Sequence, residues 1–503
     1  MRQSTRLIGN ALISYGRMFL TVGLGLWTTR LVLKSLGAAD FGLYAVLTSV
    51  TGFLSSACIA SSASVQRHLA VEIGRGNALA LKRVFATSVV IHLVAAVVVA
   101  LAGLFVRMFV ISFLNMPAGR STAAGVAFDM ALIAAVAGVA VAPVGALYSA
   151  RQRMGFDAAF ALLMTMGALG VALLLPHLMG DPLQNYARWQ IAVQVLVLLL
   201  QVVVAGIMFH EARITPGDID AAHYRPLLAL AGWSMLGGLG WMIRMGGGGV
   251  LLNLFFGPVV NAGYAIAQQA TTYVLNFSNV ILRSVQPAMS TLEGRGRPEQ
   301  FTRLMYATGK LMLLASSIIA IPLIVAPDLV LTVWLGHQPE GAANFMRLVL
   351  ISVLILQSTV GHETAMIATG RVRVVAAGMF WIMVLPLPLA AASFRALGGP
   401  PAVYGLLLVA TAAMAAIYYV HAANAQLDES MGRWLRAVPA RVLFAVVCGA
   451  LAASAVAGAV SENLLGIAAV TVSGSVVVIG VAWLGVLGAE ERAALREFVS
   501  HGR

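Results

Sequence analysis

Long apolar runs separated by short polar connections recur along all 503 residues of the chain. Each run holds about 18 or more nearly uncharged residues, and a helix of about 20 residues crosses a hydrocarbon core of about 30 Å. The short alternating segments typical of a transmembrane β-barrel do not occur in the sequence. The pattern therefore predicts an all-α polytopic membrane protein with about fourteen transmembrane helices. The predicted spans are residues 10–32, 41–63, 84–106, 126–148, 157–179, 188–209, 226–255, 259–283, 305–326, 344–368, 372–394, 402–424, 440–460 and 464–487.

Composition strengthens this interpretation, because 60% of the residues are hydrophobic and only 10% are charged. A soluble domain has about 25% charged residues and cannot bury so much apolar surface. The two cysteines, Cys58 and Cys448, lie in apolar runs, so neither a disulfide framework nor a metal site or other cofactor is expected. Arg17 interrupts the first apolar run, which we therefore expect to be a retained span and not a cleaved signal peptide.

Positive charge is distributed unevenly between the two sides of the predicted membrane protein. With the N-terminus inside, 23 of the 32 lysines and arginines fall in inner segments and 6 fall in outer segments. Because cytoplasmic loops carry the excess of Lys and Arg, we expect a multi-pass protein of the bacterial inner membrane with both termini in the cytoplasm. The net charge of +13 then reflects topology and contact with membrane lipids, and no nucleic-acid partner is expected.

Two stretches of the chain resemble each other at a distance of 220 residues. SVQRHLAVEIGRG begins at Ser64 and SVQPAMSTLEGRG begins at Ser284, and six of the thirteen positions are identical. The same offset aligns Gly37 with Gly257 and places the first predicted span on the seventh. An even number of spans per copy predicts two parallel six-helix bundles around a central cavity. The predicted divisions are residues 1–212, residues 213–425, and residues 426–503, which hold two additional spans and a cytoplasmic tail.

The first of these bundles also carries a recognisable motif. The stretch TTRLVLKSLGAADFGLYAVLTSVTGFLSS, followed by SVQRHLAVEIGRGN, resembles the start of polysaccharide transporters of the multidrug/oligosaccharidyl-lipid/polysaccharide (MOP) flippase superfamily. The residues that carry the resemblance are Arg30, Leu36, Gly37, Asp40, Gly42 and Tyr44. It implies two bundles arranged as a V, alternating access, and a polyprenyl-pyrophosphate-linked oligosaccharide as cargo for export as lipopolysaccharide or exopolysaccharide. It also implies that the protein is not an enzyme, and that a polysaccharide polymerase and glycosyltransferases are partners.

Polar residues recur at helical spacing within several predicted spans. One stripe comprises Asn10, Ser14, Arg17, Thr21 and Thr28; a second comprises Asn261, Gln268, Thr272, Asn276, Asn279 and Arg283; Gln190, Gln194 and Gln201 form a third; and Thr48, Thr51 and Ser55 form a fourth. Because such stripes place polar groups on one helix face, they predict a wet cavity between helices. The alternative is that these side chains form hydrogen bonds to neighbouring helices.

Arg17 and Arg244 lie deep within predicted spans, where an ionisable residue costs about 2.5–3.5 kcal/mol on insertion scales and usually faces a cavity or a partner. The planar guanidinium group suits phosphate, so we expect both arginines to contact an anionic head group. A structural ion pair or carbonyl contact is the alternative, and for Arg30 an interfacial anchor is equally compatible. The predicted substrate-binding residues are Arg17, Arg244, Arg30, Asn261, Gln268, Asn276 and Asn279.

Two further features bear on mechanism. The four consecutive glycines Gly246, Gly247, Gly248 and Gly249 lower helix propensity by about 1 kcal/mol each and predict a hinge in the seventh span. Close helix packing through small residues is the alternative explanation. The adjacent His362 and Glu363 are a candidate pair for H⁺ or Na⁺ coupling, against the alternative of a purely structural pair.

Two other functions fit parts of the sequence. A multidrug exporter of the same superfamily fits the repeat. Such exporters typically have twelve spans and prefer cationic drugs, and the fourteen predicted spans and two inward arginines argue against both features. A membrane glycan polymerase or glycosyltransferase usually carries a long outer loop with catalytic groups. The longest outer connection here, residues 107–125, contains no acidic residue, so this alternative is the weakest.

Overall fold

The computed structural model of the chain describes the backbone of residues 2–219, 236, 238–336, 338–427, 430–489 and 491–492. Some side chains within these ranges lie outside the description, namely those of residues 2–15, 17, 18, 56–61, 63, 154, 216, 280, 283, 284, 372 and 424–427. The regular secondary structure of the described part is entirely helical.

The helices follow one another with short connections. The first are α1 (Arg2–Arg75), α2 (Ala78–Phe113), α3 (Ser121–Ala150), α4 (Met154–Leu174), α5 (Pro182–Met208), α6 (of which residues 238–242 are described), a π-helical turn (Ile243–Gly247), α7 (Gly248–Phe256) and α8 (Pro258–Gly294). The remainder are α9 (Pro298–Val325), α10 (Pro327–Leu335), α11 (Ala342–Gln357), α12 (Val360–Ala368), α13 (Val372–Val384), α14 (Pro386–Leu397), α15 (Ala402–Leu427), α16 (Met431–Ala437), α17 (Pro439–Ala457), α18 (Leu464–Val481) and a π-helical turn (Ala482–Val486).

The predicted class, an all-α polytopic membrane protein, is confirmed. Among the described residues, eleven helices are long and apolar enough to cross a membrane, or up to twelve if the bent pair α11 and α12 counts as one span. The predicted number of about fourteen stays a prediction. The first two predicted spans both lie in α1, on either side of the non-helical backbone at Gly37, and their described residues count as one candidate, Phe19–Ser55. The helix α8 is not among the candidates, and it carries the long polar stripe.

The structure differs from the predicted spans in three places. The predicted span 344–368 is divided between α11 and α12, whose axes differ by 44°. The predicted span 372–394 is found as one candidate span, Arg373–Leu397, with a one-residue turn before Pro386, which has no backbone N–H to donate. The helix α10 occupies a segment that the hydropathy pattern leaves as a connection. Its Pro327 and Asp328 favour a helix start, because proline suits the first turn and acidic groups favour the N-terminal dipole.

The chain divides into two compact units. Unit A contains residues 24–262 and 379–387, and unit B contains residues 1–23, 263–378 and 388–503. This division follows contacts in the folded chain and differs from the predicted divisions 1–212, 213–425 and 426–503. Those divisions rest on the sequence repeat and stay a prediction, as does the V-shaped arrangement of two bundles.

Each unit has its own apolar core. In unit A, Leu47 and Phe128 belong to one buried cluster, and Tyr148 packs with Phe160 and Phe209 in another. In unit B, α9 packs against α17 and α18, where Gly449 and Gly474 allow the helices to approach Ile321 closely. Such small residues let helix backbones pack tightly in membranes.

Turns with left-handed backbone recur in the two halves of the chain. The matching residues are Gly37 and Gly257 (φ 74° and 82°), Gly76 and Gly296 (68° and 61°), Gln152 and Gly370 (56° and 81°), and Gly180 and Gly398 (99° and 59°). Residues with side chains rarely adopt such φ values. Hydrogen bonds recur as well, since the Gly76 amide donates to Ile73 O at 3.1 Å and the Gly296 amide donates to Glu293 O at 3.0 Å. This recurrence, at separations of 218 to 220 residues, supports the duplication that the sequence predicts.

Candidate functional site

The motif that resembles polysaccharide transporters forms a turn within α1 of unit A, at Gly37. The backbone of Gly37 has positive φ and extended ψ, a conformation that is essentially limited to glycine. Asp40 accepts two hydrogen bonds from Arg120. Arg120 also pairs with Asp181, which accepts a hydrogen bond from the Gln184 amide at 3.0 Å. Burial tends to raise the pKa of Asp181, but the hydrogen bonds from the backbone N–H of Gln184 and from Arg120 outweigh burial and lower this pKa. One arginine therefore ties the start of α5 to α1.

Gly42 in the same motif is required by close packing. A Cβ atom at this position would lie 1.9 Å from the carbonyl oxygen of Pro258. The side chain of Asn261 donates to Gly42 O at 2.7 Å and is buried, with 1% exposure. The predicted substrate-binding residue Asn261 is thus engaged in joining α1 to the start of α8.

A polar cavity of about 440 Å³ lies inside unit A between α1, α3 and α5. Its polar lining combines two of the predicted stripes, and its remaining walls are mostly small side chains of α3. The lining residues are Tyr44, Thr48, Thr51, Gly52, Ser55, Met130, Ala131, Ala134, Ala135, Gly138, Val139, Ala142, Ala187, Gln190, Ile191 and Gln194. The volume falls within the range of about 300–1,000 Å³ that is typical of ligand pockets.

The depth of this cavity follows from the positions of its glutamines on α5. Gln190 and Gln194 lie about 12 and 18 Å from the first residue of the helix, Pro182, at 1.5 Å per residue. Both are therefore at the level of the hydrocarbon core, where exposed polar groups face water, a ligand or a partner. Polar residues of spans two and six do meet around one space, but this space lies within unit A and Gln201 does not line it. The predicted central cavity between two bundles stays a prediction.

A second cavity in unit A has a different character. It has a volume of about 320 Å³ and is almost entirely apolar. Its lining residues are Ser49, Val50, Phe53, Ile243, Gly246, Gly247, Val250, Leu251, Leu254 and Leu387.

The three predicted arginines have different surroundings. Arg244 lies in the π-helical turn, and its side chain is buried with 1% exposure. It lines neither of the two cavities, so a phosphate could reach it only after the surrounding helices move. Arg30 is exposed on α1. Arg17 lies on α1, but its side chain is outside the described part of the chain, so its predicted contact stays a prediction.

The four glycines of the predicted hinge lie at the junction between the π-helical turn and α7. The backbone at Gly248 is helical, with φ −60° and ψ −39°, so the helix is distorted but not interrupted. Cβ atoms at Gly246 and Gly249 would lie 3.3 Å from Ser49 Cβ and 2.8 Å from Asn261 Oδ1. These contacts support the packing alternative, and a hinge motion stays a prediction.

The polar stripe of α8 is exposed in its middle part. Gln268 donates to the Tyr264 hydroxyl at 2.5 Å, whereas Thr272, Asn276 and Asn279 are exposed. The side chain of Arg283, at the end of this stripe, lies outside the description. Four polar residues on one face lower the apolar character of α8, which is not among the candidate spans.

The candidate coupling pair lies just after the break between α11 and α12. His362 is fully buried, and its ring contacts Tyr306 and Trp434 at centroid distances of 5.6 and 6.4 Å. Neither ring nitrogen has a hydrogen-bond partner within the described structure. Glu363 is half-buried next to it. The aromatic contacts of His362 are structural, and a role of the pair in ion coupling stays a prediction.

Several polar contacts could not be predicted from sequence. Arg107 donates two hydrogen bonds to Asp129, at 2.5 and 3.1 Å, so this carboxylate already has a partner within unit A. The buried amide of Gln357 donates to the hydroxyl groups of Ser278 and Ser316 at 2.6 and 2.8 Å. Helical spacing gives the face of each residue but not the helix that it meets.

Solved structures of membrane transporters share this architecture. No protein-family model and no curated protein sequence matches the chain. The lipid II flippase MurJ, in an inward closed conformation, matches with a TM-score of 0.68 at 12% identity, covering 96% of this chain and 100% of MurJ. An inward-facing multidrug resistance MATE transporter of the MOP superfamily matches with a TM-score of 0.66 at 10% identity, covering 83% and 98%. An outward-facing MATE transporter gives 0.58 at 12% identity, covering 82% and 95%.

The chain has the fold of MOP-superfamily transporters. The resemblance read from the motif therefore agrees with the fold. Both kinds of neighbour are transport proteins, and the MOP-type fold is common to a lipid flippase and to multidrug transporters. The shared fold by itself does not specify a substrate for this chain.

Proposed function

We propose that the protein flips a polyprenyl-pyrophosphate-linked oligosaccharide across the bacterial inner membrane by alternating access, for export of a cell-surface polysaccharide. Both termini would be cytoplasmic. The glycan would come from glycosyltransferases on the inner side and pass to a polymerase on the outer side. No covalent bond is made or broken in this step.

The polar cavity of unit A is the observation that carries this proposal. It lies at the depth of the hydrocarbon core, and its lining combines hydroxyl and amide groups of α1 and α5 with a larger apolar surface. Among its described lining residues, none carries a formal charge at neutral pH. A glycan that crosses a membrane needs such uncharged hydrogen-bonding groups in place of water.

The pyrophosphate would need positive charge, which Arg17 and Arg244 can supply. Arg244 is buried in this arrangement, so the proposal requires that the helices around the π-helical turn rearrange during transport. The glycines beside it, Gly246 to Gly249, would permit such a change. His362 and Glu363 would respond to an ion gradient, which would bias the two arrangements.

A multidrug exporter is the second candidate, and two observations favour it. MATE transporters match the fold with a TM-score as high as 0.66, and the second cavity in unit A is apolar like a drug pocket. The described residues that line the two cavities include no carboxylate to pair with a cationic drug. A cation in an apolar pocket without a counter-charge carries a large desolvation cost, so we rank this function second.

Arginine variants test the proposed function in cells. We expect Arg17→Ala and Arg244→Ala to abolish surface glycan, measured by glycan staining of outer-membrane fractions, with unchanged protein in the membrane. Arg244→Lys keeps the charge and should retain part of the export, although it loses the paired donors. Arg347→Ala, which removes a half-buried arginine paired with Asp328, is the control and should export normally. Normal export by both alanine variants would contradict the proposal.

A further inference from the structure

We propose that the polar cavity of unit A binds an uncharged sugar ring of the transported glycan through the hydroxyl and N–H donors of that sugar. This inference rests on the proposed function and adds which part of the substrate occupies this cavity. The pyrophosphate is assigned elsewhere.

The hydroxyl groups of α1 present oxygen acceptors to the cavity. Thr48 donates its proton to Tyr44 O at 2.9 Å, Thr51 donates to Thr48 O at 3.1 Å, and Ser55 donates to Gly52 O at 3.0 Å. Each O–H group is thus used within its own helix. The oxygen lone pairs remain to accept hydrogen bonds from a ligand.

The glutamines of α5 add further acceptors. Gln194 donates its Nε2 to Ala134 O at 3.1 Å, which leaves Oε1 as its acceptor. Gln190 Oε1 is buried and has no hydrogen-bond partner within the described part of the chain. A buried acceptor without a partner is unfavourable, and native proteins keep few of them unless a ligand or water completes the bond.

The balance of donors and acceptors selects the ligand class. The three hydroxyl oxygens and two glutamine oxygens accept, whereas Tyr44, the amide nitrogen of Gln190 and the second N–H of Gln194 are the side-chain donors among the described lining residues. A sugar presents several O–H or N–H donors and matches this surface. A phosphate presents acceptors and needs strong donors. A cation would meet no carboxylate among these residues.

The walls of the cavity also suit a sugar ring. Tyr44 supplies an aromatic surface that is held by an edge-on contact with Tyr186, at a centroid distance of 4.9 Å. Ala134, Ala135 and Gly138 of α3 also line the cavity, and their small size leaves room for a ring. Carbohydrates have apolar C–H faces between polar edges, which match this mixture of small apolar and polar groups.

Binding of small molecules to the purified full-length protein tests the inference. We would measure equilibrium binding of a panel of methyl glycosides that includes N-acetylated sugars, with tetraphenylphosphonium as the cation and inorganic pyrophosphate as the anion. Gln190→Leu removes the buried acceptor, and Thr51→Val removes one hydroxyl with little change of shape. Gln201→Leu is the control, because Gln201 lies on the same helix but does not line the cavity.

We expect at least one methyl glycoside to bind, and each of the two cavity variants to bind it about 3- to 10-fold more weakly, the effect of one neutral hydrogen bond. Gln201→Leu should bind as the unmodified protein does. The inference is overturned if no glycoside binds, if both cavity variants bind normally, or if pyrophosphate or tetraphenylphosphonium binds in a manner that depends on Gln190. Thermal melting of each variant shows whether it is folded. If Gln190→Leu does not fold, Thr51→Val still tests the inference.

A flipping assay separates this inference from the proposed function. If the protein flips lipid-linked glycan and Gln190→Leu changes neither flipping nor glycoside binding, the cavity assignment is wrong and the function stands. If glycosides bind in a Gln190-dependent manner but no lipid-linked glycan is flipped, the sugar site stands and the flippase function is wrong.

Discussion

Asn261 and Gln190 both carry amides within predicted spans, but the fold uses them differently. Asn261 is buried and donates to Gly42 O, so it packs two helices together. Gln190 lines the polar cavity, and its oxygen has no partner in the described structure. The sequence identifies both as polar residues on a helix face. It could not separate the two roles, because the role depends on which neighbouring helix each residue meets.

For individual residues of the motif, the structure explains why a glycine stands at position 42 and an aspartate at position 40. Gly42 leaves no room for a side chain beside Pro258, and Asp40 shares Arg120 with Asp181. From the sequence, Asp40 is part of a family pattern without a stated partner. Arg120 lies 80 residues further along the chain, so its pairing with Asp40 is a tertiary feature.

Removal of Arg120 is expected to destabilise unit A. Arg120→Ala leaves the carboxylates of Asp40 and Asp181 close together without their shared cation. Hydrogen bonds to charged groups contribute about 1.5–3 kcal/mol, so we expect a loss of about 1–3 kcal/mol of stability. The fall in apparent melting temperature of the purified protein measures it.

Arg347→Ala is the matched comparison for this prediction. Arg347 pairs with Asp328 at 3.3 Å, and the two side chains are 38% and 60% exposed, more than those of the Arg120 cluster. Exposed pairs contribute about 0–1 kcal/mol, so its melting temperature should change little. Equal destabilisation by the two substitutions would show that the Arg120 cluster is no more than a surface pair.

Among the elements, the predicted spans correspond well to helices wherever a run is apolar and uninterrupted. The turn before Pro386 has a local signal in the sequence, since proline has no N–H to donate to the preceding turn. The break between α11 and α12 has none at Ser358 and Thr359. There, Gly309 and Gly361 bring the chain against α9 so closely that a Cβ at Gly361 would lie 2.0 Å from Met305 O. That break is set by packing between helices and could not be predicted from the pattern.

The exposed polar stripe of the helix α8 leads to a prediction that can be tested residue by residue. If its exposed stripe faces water, cysteines placed at Thr272, Asn276 and Asn279 should react with a membrane-impermeant maleimide. The experiment uses a chain in which Cys58 and Cys448 are replaced by serine. Labelling in intact vesicles followed by gel shift measures the reaction.

A cysteine at Leu199 provides the control for this labelling experiment. Leu199 is 58% exposed, like the stripe residues, but it lies among apolar residues of α5. We expect it to face lipid and to remain unlabelled, because maleimide needs a thiolate in contact with water. Equal labelling at Leu199, or no labelling at the three α8 positions, would contradict a wet face on α8.

For the whole molecule, the duplication is visible in backbone geometry as well as in sequence. The amides of Arg153 and Arg371 donate to Tyr148 O and Met366 O at 2.9 and 3.0 Å, forming the same helix C-terminal motif in both halves. The position before each amide has positive φ, but it is Gln152 in one copy and Gly370 in the other. The sequence repeat does not reveal this pair, because a glycine in one copy aligns with a glutamine in the other.

Gln152 and Gly370 should therefore respond oppositely to substitution. A left-handed conformation costs a residue with a side chain about 1–2 kcal/mol, and glycine avoids this cost. Glycine in turn loses about 0.5–1 kcal/mol more backbone entropy on folding, so the net advantage of glycine is smaller. Gln152→Gly should stabilise the protein by about 0.5–1 kcal/mol, and Gly370→Ala should destabilise it by about 1 kcal/mol. Melting of the purified variants measures both, and a lower melting temperature for Gln152→Gly would contradict equivalence of the two turns.

The fold class and the two cavity-lining stripes could be predicted from the sequence, because hydrophobicity and helical spacing are local. The substrate could not, since the MOP-type fold serves both a lipid flippase and multidrug transporters. The chemistry of the polar cavity, without a formal charge among its described lining residues, is what favours a glycan.

The most direct test uses purified protein in liposomes that contain a fluorescent polyprenyl-pyrophosphate-linked oligosaccharide. A membrane-impermeant reductant bleaches only the dye that reaches the outer leaflet. The account predicts that bleaching extends beyond the initial outer-leaflet fraction when the protein is present and not when it is absent. Bleaching confined to that fraction, together with protein-dependent uptake of tetraphenylphosphonium by the same liposomes, would contradict it.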